Sequence, residues 1–190
     1  MIYLLDDVID SITATKIEKT LFDLKFPWHF TPDTSYGSAN EYQQRPGFLH
    51  WFVKDGNKSA HLNLIEPLIT NGAVAIGLKE VDVIQIRSFL QLPLSESFTG
   101  TEIDTPHIDL FEPHWVLLYY VLDNDAETVI YSNKMKNRND IPTDKDLKEC
   151  LRIQPKKGRM VIFDGMHWHT SEHPKTGVRA IININIKRKP

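Results

Sequence analysis

Cysteine is almost absent from this chain: 190 residues contain one, Cys150. No internal disulfide framework and no cysteine-rich zinc site can form. Cys150 follows the charged, helical-looking segment DKDLKE, and no catalytic context surrounds it. Long apolar runs are missing too. Even WVLLYYVL, one of the most apolar stretches, falls far short of the roughly 20 residues a membrane-spanning helix needs. The opening MIYLLDDVIDSITATK is too acidic and too polar for a signal peptide, which sets the expectation of a cytoplasmic protein without a membrane partner. An excess of charge is also lacking. Lys and Arg total 22 against 25 Asp and Glu, a net charge of −3. That balance offers no global electrostatic grip on nucleic acid or an anionic membrane. The basic tail KRKP reads as a solvated terminus. No internal repeat or low-complexity tract is present.

What remains is ordinary globular material, 41% hydrophobic and 25% charged, in a length that suits one domain with one core. Residues 8–24 place Val8, Ile9, Ile12, Ile17, Leu21 and Leu24 at helical spacing. Residues 26–47, with three prolines and two glycines, read as loop with a short strand. FLHWFV is a strand and DGN a turn. LNLIEPLITNGAVAIGL is a second helix, or two, with Pro67 in a first turn or at a break. Strands then dominate: VDVIQIRSFLQL, WVLLYYVL, ETVIY, GRMVIF and VRAIININI. DNDAE between two of them reads as a hairpin turn, and residues 133–149 as a charged insertion. Helices first and strands afterwards predict a mainly β fold, a sandwich or barrel with helices backing one sheet.

The chemistry concentrates in DTPHIDLF, residues 104–111, just before the buried WVLLYYVL strand. Residues two apart on a strand face the same way, so His107 and Asp109 can point together into a barrel mouth. Downstream, GRMVIFDGMHWHTSEHPKTGVRAIININI carries a strand, a histidine cluster, a turn and an arginine opening a last strand. One of those histidines with His107 and Asp109 makes two histidines and one carboxylate, the facial set that holds Fe(II) and leaves positions open. Arg179 shares a strand face with Ile181, Asn183 and Asn185. An inward arginine is costly unless a carboxylate meets it. The two asparagines line a pocket or face solvent on an edge; both readings stay open at this level.

The stretches PHIDLFEPHWVLLYYVL, ETVIY and GRMVIFDGMHWHTSEHPKTGVRAIIN resemble the 2-oxoglutarate- and Fe(II)-dependent dioxygenases, on the prolyl-4-hydroxylase-like side of that superfamily. The resemblance covers roughly the C-terminal half. It implies a double-stranded β-helix, or jelly roll, in a single domain: residues 1–80 as helical support and substrate-side loops, 81–190 as the jelly-roll core. It implies His107, Asp109 and His169 as ligands of Fe(II). His169 is preferred over His167 because it lies ten residues before Arg179 and follows Phe-Asp-Gly by a short turn; His173, before Pro174, reads as a loop residue. Arg179 is implied to hold the distal carboxylate of 2-oxoglutarate, with Tyr120, Thr128 and Asn183 as further cosubstrate-binding residues. Ala126 stands where relatives of this kind carry glycine. The implied reaction uses dioxygen and 2-oxoglutarate, releases succinate and CO2, and hydroxylates an unactivated C–H bond.

The implied substrate is a prolyl residue in a peptide or protein, or a small molecule. The base-dealkylating branch carries a second arginine six residues after the first; here that position is Asn185, and the acidic balance also argues against nucleic acid. A cupin-like or non-catalytic metal-binding jelly roll is the rival from another class, but such proteins lack the Arg179 partner. His29, His50, His61 and His114 have no ligand-like spacing and read as packing or surface residues. Arg87 is placed near the site, because its strand should neighbour the one after His-X-Asp. The loop at 31–47 and the insertion at 133–149 are expected to border the entrance. Oligomeric state is not readable.

Overall fold

The computed structural model describes residues 1–34, 45–95, 103–137 and 146–189. Strand β1 (Ile2–Leu5) leads into helix α1 (Ser11–Leu21), then β2 (His29–Thr31), β3 (Gly47–Lys54) and β4 (Asn57–Lys58). A 3-10 turn at Leu62–Leu64 precedes α2 (Glu66–Ala75). The rest is strand: β5 (Val81–Gln91), β6 (Trp115–Tyr120), β7 (Thr128–Lys134), β8 (Glu149–Ile153), β9 (Met160–Asp164), β10 (His167–Ser171) and β11 (Arg179–Arg188).

The strands form a major sheet in the order β1-β9-β6-β11-β5-β3-β2, with β4 paired to β3, and a minor sheet in the order β10-β7-β8. All pairings are antiparallel. Chain-adjacent strands β6 and β7 fall in different sheets, as do β9 and β10. This alternation is the jelly roll, and the mainly β expectation with helical backing holds. The expected hairpin at DNDAE is corrected: those residues cross from the major to the minor sheet. Asn124 and Asp125 tie the crossing to the loop before β11, through bonds to Thr176, Val178 and Lys175.

Period-two alternation sorts the two faces of the major sheet. Leu117, Tyr119, Ile162, Ile182 and Ile184 point toward the helices and share a core with Ile17, Leu21 and Leu68. Val116, Leu118, Tyr120, Phe163 and Ile181 point toward the minor sheet, where Ile130 and Ile153 meet them. The fully buried Tyr119 and Tyr120 therefore serve opposite cores.

Helix α1 is shorter than the apolar spacing suggests. Asp10 caps it, its carboxylate accepting from the Ile12 and Thr13 amides. Ile12 and Leu24 are exposed rather than in the core. Pro67 sits in the first turn of α2, where its missing N–H costs nothing. Two strands correct the sequence reading. β1 pairs with β9, although its short apolar run follows no strong pattern. β8 begins at Glu149, the last residue of the expected charged insertion, and Cys150 is exposed on it. The loop and insertion expected at the entrance fall largely on residues 35–44 and 138–145, outside the described residues. Among the described residues no helix is long and apolar enough to cross a membrane.

Candidate active site

His107 and His169 face each other across an antiparallel bridge that extends the edge of the minor sheet. Their backbones exchange both hydrogen bonds, at 2.9 and 3.0 Å. Directly opposed residues project to the same side, so the rings converge, with centroids 4.6 Å apart. Asp109, two residues on from His107, joins them. One ligand atom from each of the three lies within 4.8 Å of the others.

The ring nitrogens are arranged as a metal site would need them. His107 Nδ1 lies 3.1 Å from the Thr105 carbonyl and His169 Nδ1 lies 3.1 Å from the His167 carbonyl. A carbonyl oxygen only accepts, so each Nδ1 carries the proton and each Nε2 keeps a lone pair for the centre. Burial, then the neighbouring His107, pushes His169 down to about 4, against the opposing pull of Asp109. The imidazole is thus neutral, the form that ligates. Phe163 packs edge-on against it, with centroids 5.0 Å apart.

Asp109 is fully buried at its side chain and heavily held. Arg87 Nη2 donates to Oδ1. Asn183 and Asn185 donate to Oδ2 at 3.0 and 2.9 Å. Gln85 in turn donates to Asn185 at 2.8 Å. Burial alone would raise the Asp109 pKa, but Arg87, then His169 and His107, and the Asn185 bond hold it far below the ordinary carboxylate range. The alternation of asparagine with isoleucine on β11 has a structural reason: both asparagines are buried and donate to Asp109, and Asn183 also lines the cavity.

Sheet register explains why these residues meet. Across the major sheet, Trp51, Arg87, Asn183 and Leu118 lie in one row. Nearer the far end Gln91 pairs with Arg179. The same cavity therefore runs from the histidines to Arg179, lined by Arg87, Gln91, Asp104, Thr128, Phe163 and Asn183 among others.

Arg179 is 2% exposed. It donates to Gln91 Oε1 and Thr128 Oγ1 at 2.8 Å each, and to the Ala126 carbonyl at 3.3 Å. All three acceptors are neutral, and among the described residues no carboxylate lies within 4.0 Å of it. Burial lowers its pKa, opposed by Tyr120 and Asp104. Thr128 Oγ1 also accepts from the Tyr120 hydroxyl at 2.8 Å. With both lone pairs used, the Thr128 O–H is left to donate into the cavity. The sequence-predicted Arg179, Tyr120 and Thr128 are thus one connected cluster.

His167 is not part of the triad. Its Nδ1 bonds to the Tyr131 carbonyl at 2.8 Å, on the far side of a β-bulge between it and His169. His173 lies in a loop, as expected, yet is buried and pairs with Asp104 at 2.8 Å. Asp104 also accepts from Ser171 and stands 3.4 Å from Arg45. Sequence reasoning assigned no role to Asp104, Arg45 or Gln91; a buried charge amid polar residues leaves no periodic signal. His114 is buried against Gly165, where an added Cβ would come within 2.1 Å of its Nε2. Only glycine fits against that ring.

No family model matches the sequence, and no curated protein matches it. Solved structures do resemble it. An oxidoreductase of the 2OG-Fe(II) oxygenase family from Burkholderia pseudomallei superposes with a TM-score of 0.67 at 12% identity, covering 99% of this chain and 85% of that one. The viral collagen prolyl hydroxylase of Paramecium Bursaria Chlorella virus-1, in its 2OG complex, gives 0.56 at 13% identity, covering 100% and 96%. A prolyl-4-hydroxylase of Pseudomonas putida gives 0.59 at 11%, covering 99% and 92%. The chain has the fold these oxygenases share.

Proposed function

We propose that this chain is an Fe(II)- and 2-oxoglutarate-dependent oxygenase that hydroxylates an unactivated C–H bond. One observation carries the reading: two histidines beside a buried carboxylate, and a buried arginine with no carboxylate partner among the described residues, border one cavity. The donor set fits Fe(II). His107 and His169 offer Nε2, and Asp109 accepts three hydrogen bonds of the roughly four its oxygens can take, leaving room for a cation. Arg179 and Thr128, with Tyr120 bonded behind Thr128, fit the distal carboxylate of 2-oxoglutarate, which supplies the missing counter-charge. Bound together, the metal and the keto acid supply dioxygen activation. The protein contributes orientation through Arg179, and exclusion of water through Phe163, Leu118 and Ile181. The likeness to two prolyl hydroxylases favours a prolyl residue in a peptide as the substrate.

The test is anaerobic Fe(II) titration with 2-oxoglutarate, read by the weak visible charge-transfer band, in wild type, His169→Ala, His167→Ala and Arg179→Ala. The expected result is a band in wild type and His167→Ala, and none in the other two. Absence of the band in folded wild-type protein would sink the oxygenase reading in favour of a non-catalytic metal-binding jelly roll. Release of succinate with candidate peptides then separates a prolyl substrate from other C–H donors.

A further inference from the structure

Arg179 is aimed by a second residue, Gln91. A guanidinium carries five N–H donors. In Arg179, Nε donates to the Ala126 carbonyl, Nη1 to Gln91 Oε1 and Nη2 to Thr128 Oγ1. These bonds leave one N–H on each terminal nitrogen, the number a carboxylate takes when both its oxygens are gripped. Of the three acceptors, the Ala126 carbonyl is backbone and Thr128 is a short side chain on β7. Gln91 is the long one. It stands opposite Arg179 in the β5–β11 pairing and is 4% exposed.

The other end of the Gln91 amide is held as well. Nε2 lies 3.3 Å from Thr34 Oγ1 and 3.4 Å from Asp104 Oδ2. Those neighbours fix the sense of the amide. Asp104 Oδ2 also accepts from Ser171 at 2.9 Å, and the contact with His173, at 2.8 Å, is made by the other oxygen, Oδ1. The proton shared by Asp104 and His173 lies at Oδ1, so Oδ2 is an acceptor whichever partner carries it. A flipped amide would set two oxygens against each other. Oε1 therefore faces Arg179. A guanidinium clamped at three nitrogens keeps one position and one plane. A diacid that grips it and also reaches His107, Asp109 and His169 in the same cavity meets a fixed span. We propose that Gln91 is a positioning residue that, by locking Arg179 against Asp104 and Thr34, sets the length of the keto diacid the cavity accepts. The proposal rests on the oxygenase reading for the chemical class of that acid.

The experiment compares two keto diacids that differ by one methylene, 2-oxoglutarate and 2-oxoadipate. Each is titrated by calorimetry into the full chain with saturating Mn2+. Wild type is expected to favour 2-oxoglutarate by roughly tenfold to hundredfold. Gln91→Met keeps the length of the side chain and removes the acceptor. It should weaken 2-oxoglutarate and bring the two acids to within about threefold of each other, because a loosened Arg179 follows the longer acid. Gln91→Asn keeps the amide but is too short to span from Arg179 to Asp104. It serves where the Met variant does not fold, with the same expectation. A merely structural loss weakens both acids by one factor and leaves their ratio as in wild type, and that result overturns the proposal. Equal binding of the two acids by wild type overturns it without any variant. Folded wild type that binds neither acid sinks the oxygenase reading and the proposal together, whereas selectivity that persists in the Gln91 variants sinks the proposal alone.

Discussion

Two buried arginines, Arg87 and Arg179, line one cavity and live under opposite electrostatic conditions. Arg87 meets a carboxylate of its own chain, Asp109. Arg179 meets a glutamine, a threonine and a backbone carbonyl, all neutral. A buried charge that the fold leaves without a counter-charge is costly, and the cost is recovered when an anion arrives. The difference separates a charge that belongs to the architecture from one that belongs to a ligand. It also gives the cavity a direction, with the two-histidine, one-carboxylate group near Arg87 and the proposed anion seat at Arg179.

The comparison can be broken most sharply at Arg179. Arg179→Met should weaken 2-oxoglutarate by on the order of hundredfold or more, while the thermal midpoint of the ligand-free protein stays level or rises. Calorimetric titration and a melt on the same sample read both. A large fall in the melt would mean that Arg179 is structural after all. Arg87→Met should do the reverse to stability. It strands a buried Asp109 on two amide donors, and denaturant unfolding of the ligand-free protein should show a loss of about 3 kcal/mol. Equal responses of the two variants would erase the distinction.

The pH dependence sharpens the same point at the histidines. His169 is held near 4 in the folded chain, below its ordinary 6.5. Between those values the unfolded chain binds more protons than the folded one, so stability falls as pH drops from about 6.5 to 4. The loss is on the order of 2–3 kcal/mol. Denaturant midpoints across that window should show the slope, and His169→Asn should flatten it.

The smallest effect is expected at an ion pair of another kind. Arg159 grips the exposed Asp6 at 2.6 and 3.1 Å and, by hydrogen bonding, lowers its carboxyl to about 2. Water screens this pair, so Arg159→Ala should cost at most about 1 kcal/mol. The contribution is full above about pH 4 and is lost as pH falls through about 2. Unfolding at pH 7 and pH 2 distinguishes this pair from the buried one.

Much of this architecture is visible in the order of residues. The spacing of His107 and Asp109 is readable because a strand repeats every two residues. The same rule separates Leu117 and Tyr119 from Val116, Leu118 and Tyr120, and puts Arg179, Asn183 and Asn185 on one face. Other features leave no such trace. β10 hides in a histidine cluster, β8 follows directly on a charged segment, and the DNDAE segment looks like a hairpin because local turn chemistry does not record which sheet the next strand joins. His173 and Asp104 lie 69 positions apart, and their pairing follows only from strand placement.

By itself the sequence determined the longer strands, the helical regions, most of their buried faces and the residue types that could hold a metal, because these follow from periodicities of two and of 3.6 along the chain. The tertiary structure alone decided which charges are compensated. Arg87 is 22 positions from Asp109, and only the register of β3, β5 and β11 brings the guanidinium onto the carboxylate while leaving Arg179 among neutral groups. Coulomb energy and desolvation depend on distance and burial in space, and neither quantity is written in the order of residues.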